Sequence, residues 1–160
     1  MAMTLANNQG AVVIDASVLV ALCAKEQDRA VAANSALNNY NTIGFAFYAP
    51  GVAVSETLFA LCWKMQNGIL AETDHQAAIH SLIAYFAAIF PPPTGDASLI
   101  ARAEEIRAGY SCRRSADSLY IALAEELSQS VPTELLTFDE DLPKQAARNA
   151  STVKVNLLPG

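Results

Sequence analysis

Ala11-Val12-Val13-Ile14-Asp15-Ala16-Ser17 is an unbroken apolar run that ends in a carboxylate and a hydroxyl. It is rich in β-branched residues and lacks the alternation of a strand with one wet face, so it reads as a strand buried on both faces of a parallel sheet. Asp15 then stands at that strand's carboxyl end. Upstream, residues 1–10 read as a disordered lead-in. Downstream, helices are expected over residues 18–24 and 27–40, followed by a short strand at Phe45-Ala46-Phe47-Tyr48 between Gly44 and Pro50. Residues 51–65 read as a helix stopped near Asn67-Gly68, and residues 72–90 as a long helix that is apolar nearly all round. Such a helix is either central or covered by a second subunit. Pro91-Pro92-Pro93 breaks the pattern before a helix over 97–108 closed by Gly109.

The next helix, 115–127, carries Tyr120, Leu123, Ala124 and Leu127 on one face, with Ser115 as its expected N-cap. Asp117 precedes Tyr120, Ile121 and Ala124 by three, four and seven residues, so its carboxylate leaves the helix on or beside the core face. A charge placed there needs a cation, a donor or a metal. A strand over 134–138, a short helix over 142–149 and a last strand over 153–158 complete the chain. Strands alternating with helices define an α/β fold with a mainly parallel sheet, and residues 11–160 are expected to form a single domain.

Charged residues are 16% of the chain and hydrophobic ones 52%. That composition argues against disorder and leaves apolar surface for an oligomer or partner. Ten Lys+Arg against sixteen Asp+Glu give a net charge of -6, which argues against gripping nucleic acid by bulk electrostatics. Seven of the basic residues nevertheless fall from Arg102 onward, so local attraction remains open. Cys23, Cys62 and Cys112 are widely spaced and form no CxxC pair, which indicates neither a disulfide framework nor a zinc site. With no basic n-region and no apolar run near the roughly 20 residues that span a bilayer, the expectation is a soluble, cytoplasmic protein that does not enter a membrane.

In open α/β sheets the site lies beyond the carboxyl ends of the strands. Asp15 and Asp139 belong to two such ends, and Glu56 and Asp117 to inward faces of helices nearby. Four carboxylates converging on one rim would raise one another's pKa unless a divalent cation held them, and an all-oxygen set selects Mg²⁺ or Mn²⁺ over zinc. Each acid has an ordinary alternative. Asp15 could cap the following helix, Asp117 could complement a helix dipole, and Asp139 could be an N-cap. Glu56 is harder to explain so, because it opens the stripe Glu56, Phe59, Ala60, Trp63, which is otherwise apolar. His75 and His80, five apart on a helix, support no zinc pair, and Trp63 with the aromatics of 85–90 reads as core or dimer contact.

The segment Val13-Ile14-Asp15-Ala16-Ser17-Val18-Leu19-Val20, the pair Ser55-Glu56, the run Ser115-Ala116-Asp117-Ser118-Leu119-Tyr120-Ile121-Ala122-Leu123-Ala124 and the stretch Leu136-Thr137-Phe138-Asp139-Glu140-Asp141-Leu142 together resemble the PIN-domain family, especially VapC-like toxins of toxin–antitoxin pairs. The resemblance runs from Val12 to Leu158. It implies a three-layer α/β/α fold and a Mg²⁺- or Mn²⁺-dependent ribonuclease, often a homodimer and held inactive by a cognate antitoxin. Asp15, Glu56, Asp117 and Asp139 match the family's acidic quartet, with Asp15 and Asp117 favoured as principal metal ligands and Glu56 and Asp139 completing a second site or orienting a water. Ser17 and Thr137 match its small hydroxyl residues and are assigned to substrate binding together with Arg113 and Arg114. Asp141 is placed to supplement or replace Asp139. The alternative is a non-catalytic PIN-like scaffold acting in a regulatory complex with an antitoxin. A dehalogenase-like phosphatase is disfavoured, because that signature needs an acid where Ser17 stands.

Overall fold

The computed structural model describes residues 8–160. The first seven positions of the expected lead-in lie outside them, and Gly10 already belongs to the first strand. In chain order the elements are β1 (Gly10–Ile14), α1 (Ala16–Cys23), α2 (Gln27–Thr42), β2 (Phe45–Tyr48), α3 (Val52–Gln66), α4 (Glu72–Ala87), a 3-10 turn (Asp96–Leu99), α5 (Ile100–Ala108), α6 (Asp117–Ser128), β3 (Thr133–Thr137), α7 (Asp141–Asn149) and β4 (Lys154–Leu157). The four strands run parallel in the order β2-β1-β3-β4, flanked by helices as a three-layer α/β/α fold.

Every residue of β1 is buried, as a central strand of a covered sheet requires. Gly10 opens that strand because nothing larger fits, since a Cβ there would come within 2.7 Å of the Phe45 ring and of the Pro132 carbonyl. The chain leaves β1, pairs β2 on one side, then crosses to pair β3 on the other. The strand order therefore reverses between β1 and β3, and a crevice opens beyond their carboxyl ends. α6 packs on both of these strands with α5 and α7 beside it, while α1 gathers α2, α3 and α4. Val12, Val18, Leu19, Tyr120, Ile121, Leu123, Leu135 and Leu136 form the centre of the core, each fully closed to solvent. Among the described residues no helix is long and apolar enough to cross a membrane.

Three expectations change. α4 buries only Ala78 and Leu82 and leaves Ile83 63% exposed, so it is a peripheral helix and not a central one. It also ends before Phe90, whose backbone is taken by the free edge of β2: its N–H donates to Phe47 O and its carbonyl accepts from Ala49 N. α3 turns Ala53, Thr57 and Leu61 inward, which leaves Phe59 72% and Trp63 51% exposed. The stripe that begins at Glu56 thus runs along the margin of the helix, and Trp63 is not a core residue. Finally, α6 starts at Asp117 with Ala116, not Ser115, as its cap residue, an alanine that has no side-chain oxygen to offer the helix.

Candidate active site

Asp15 follows the last residue of β1 and is the N-cap of α1. Its backbone N–H donates to Leu136 O of β3, which ties the two strand ends together. Its Oδ2 accepts from the backbone N–H and hydroxyl of Ser17 and, at 2.8 Å, from the hydroxyl of Thr137. The same hydroxyls also receive the next residues of the chain, since Phe138 N donates to Ser17 Oγ and Asp139 N to Thr137 Oγ1. Thr137 is closed to solvent, so its hydroxyl orients Asp15 and does not face an open surface. Burial raises the Asp15 pKa, these hydrogen bonds oppose the rise, and the Asp139 charge adds to it.

Asp117 opens α6, buried at 8% exposure. Its pKa is pushed up to about 6, first by burial and then by the charges of Asp139, Asp15 and Glu56, against a hydrogen bond from Ser115. Glu56 lies half-buried on α3 and accepts the Tyr120 hydroxyl at 2.6 Å. Burial raises its pKa as well; Tyr120 and the backbone of Ala116 oppose the rise, and Asp15 adds to it. Asp139 is exposed on the turn after β3, where its Oδ1 accepts from Asp141 N and so caps the approach to α7. Capping and clustering coexist at both strand ends, so the ordinary alternatives for Asp15 and Asp139 do not exclude a shared site.

The charges of Asp139, Asp15 and Glu56 thus act on Asp117, that of Asp139 on Asp15 and that of Asp15 on Glu56, at the reversal of strand order. Among the described residues none of them has a Lys or Arg within ion-pair distance, and no three His, Cys, Asp or Glu side chains form a ready cage for an ion. The donor chemistry fits a hard divalent cation, because it offers carboxylate oxygens only, from buried Asp15 and Asp117 to exposed Asp139, with no Lys or Arg of the described residues paired to them. Asp141 stands apart from the four, paired to Arg113 at 3.3 Å and to Lys144 at 3.6 Å. Arg113 also lies over the Tyr110 ring, on a turn where Ser111 and Cys112 take left-handed backbone angles, and Arg114 beside it is exposed.

A cavity of about 470 Å³ opens next to this rim, lined by Ser17, Arg29, Phe138, Asp139, Asp141 and Lys144 among others. Arg29 is a residue that sequence reasoning missed. It reaches the rim from α2, its guanidinium 4.7 Å from the centre of the Phe138 ring and paired to Glu26. No periodicity in α2 marks it, since the fold alone brings α2 to the end of β3.

The family model for the PIN domain matches residues 12–148, and the chain belongs to that family. PIN domains are generally nucleases and typically depend on divalent metal. The fold is similar to that of VapBC2 from Rickettsia felis bound to a DNA fragment from their promoter, with a TM-score of 0.62 and 11% identity over 93% of this chain and 99% of that one. It is also similar to FitAB bound to IR36 DNA (0.57, 18%, over 91% and 94%) and to FitAcB from Neisseria gonorrhoeae (0.54, 16%, over 90% and 95%). At these identities the likeness is one of fold. No curated protein matches the sequence at a significant level.

Proposed function

We propose that this chain is a Mg²⁺- or Mn²⁺-dependent endoribonuclease, the VapC-like toxin of a toxin–antitoxin pair. The observation that carries the reading is the set Asp15, Glu56, Asp117 and Asp139, which contribute to one negative field at the switch point of the sheet, with no cation among the described residues paired to any of them. A phosphodiester is itself anionic, so this rim repels RNA until a divalent ion reverses the local field. When bound, such an ion polarises the phosphoryl group, acidifies a water and stabilises the leaving oxygen.

Asp15 and Asp117 are the principal ligands in this reading, the first held rigid by Ser17 and Thr137. Glu56 and Asp139 complete the site or orient the attacking water. Arg113 and Arg114 on the turn before α6, with Arg29 and Lys144 beside the cavity, contact neighbouring phosphates. Cleavage would leave a 5′-phosphate and a 3′-hydroxyl. The exposed apolar face of α3 and α4, with Phe59, Trp63 and Ile83, supports contact with an antitoxin or with a second copy in a cytoplasmic homodimer.

Purified full-length protein incubated with RNA and Mg²⁺ or Mn²⁺ tests the reading. Cleavage that EDTA stops and that Asp117→Asn lacks is the expected result. A second reading, a non-catalytic scaffold whose acidic rim receives a partner's Arg or Lys, draws on the lack of a ready ion cage among the described residues. Equal, background-level cleavage by the wild type and Asp117→Asn would favour it.

A further inference from the structure

We propose that Tyr120 is a positioning residue of this site, fixing Glu56 from inside the fold; the inference rests on the metal-dependent reading above. Tyr120 is fully closed to solvent and lies on α6 three residues after Asp117. Its hydroxyl donates to Glu56 Oε1 at 2.6 Å, across the gap between α6 and α3. Residues three apart on a helix share a face, so one turn of α6 both presents the Asp117 carboxylate and grips the Glu56 carboxylate. The spacing of two candidate ligands from two separate helices is thereby set by a rigid element and not by a loop. The backbone of Ala16, next to Asp15, also approaches this hydroxyl, which places it between β1, α3 and α6.

A buried tyrosine needs a hydrogen-bond partner for its hydroxyl, and a backbone carbonyl would satisfy it. Here the partner is a half-buried carboxylate with no cation paired to it among the described residues, and the bond holds that carboxylate at the rim. Groups that orient ligands in this way are worth about 10–100-fold in metal affinity or activity.

The test is a double-mutant cycle on the full chain with Tyr120→Phe, Glu56→Gln and the pair, read by calorimetric titration with Mn²⁺ alone and by RNA cleavage. Tyr120→Phe should weaken both by about 10–100-fold while keeping a cooperative melt. In the Glu56→Gln background it should cost nothing further, because its effect passes through Glu56, whereas a merely structural role would add its loss to both backgrounds. Tyr120→Phe indistinguishable from wild type, or fully additive with Glu56→Gln, overturns the inference and leaves the nuclease reading standing. Wild type that neither binds Mn²⁺ nor cleaves RNA overturns both. If Tyr120→Phe does not fold, near-ultraviolet difference absorption of the wild type on adding Mn²⁺ decides. A tyrosine band that appears in the wild type and vanishes in Glu56→Gln supports the inference, and the same band in both removes it.

Discussion

Asp117 and Glu125 stand two turns apart on α6 and meet opposite surroundings. Glu125 receives a two-pronged grip from Arg102, at 2.6 Å from Nε and 2.9 Å from Nη2, and Arg102 also holds Glu105 and the Asn149 carbonyl, joining α5, α6 and α7. Among the described residues Asp117 has no such partner, and the charges of three more carboxylates act on it. A carboxylate that serves the fold is given its cation by the chain, and one left uncompensated in a crevice raises the cost of folding unless something outside the chain neutralises it. The same helix thus separates a structural end from the end that the proposed function makes chemical.

The largest effect expected at the chemical end is on turnover. Asp117→Asn should cut RNA cleavage by at least about 100-fold, the upper end of what even an indirect ligand contact is worth; activity near wild type would erase the distinction. Next comes stabilisation by metal. At a hundred times its Kd, Mn²⁺ should stabilise the wild type by about 2.7 kcal/mol, or about 5–11 °C in Tm for a chain of this size. Asp117→Asn should lose most of that shift in a thermal melt. An unchanged wild-type Tm would place Asp117 with Glu125 in the structural class.

Proton linkage sharpens the contrast. The folded Asp117 pKa, pushed from 3.8 to about 6, means that the metal-free folded state holds this proton more tightly than the unfolded chain. Stability is therefore lost as pH rises from about 4 to 6, and the full penalty, about 1–3 kcal/mol, persists above that. Metal-free Asp117→Asn should match the wild type in denaturant titrations below pH 4 and exceed it at pH 7.

At the structural end, Arg102→Ala should destabilise by about 1–2 kcal/mol, since its charged hydrogen bonds are partly screened at the surface. Cleavage per folded molecule should not change. The smallest effect concerns the turn before α6. Arg114→Ala should weaken RNA binding only a few-fold and reduce the slope of log K against log salt by about 0.7, the contribution of one phosphate contact on a single strand.

The sheet was legible because β1 and β2 are short apolar runs with clear stops, and α6 because its buried face repeats at helical spacing. The acids were singled out by position, two after strands and two on helices, and the structure keeps those positions. Other features depend on tertiary contacts that spacing does not carry. Phe59 and Trp63 follow Glu56 at helical intervals, yet α3 is rotated so that Ala53, Thr57 and Leu61 meet the core. Phe90 leaves α4 because β2 offers an unpaired edge. Arg29 and the Tyr120–Glu56 bond join segments far apart in the chain, 109 and 64 residues respectively, counting Arg29 to Phe138 for the first.

Asp15 is pinned through its backbone to Leu136 and through its carboxylate to Ser17 and Thr137, whereas Asp139 rides on an exposed turn. One jaw of the crevice is anvil-like, and the other is held through Asp139 N to Thr137 and, at the surface, through Asp141 to Arg113 and Lys144. Any change of shape at this rim would accordingly fall on the solvent-facing contacts of the 139–141 turn before it reached β1, which keeps its place inside the sheet.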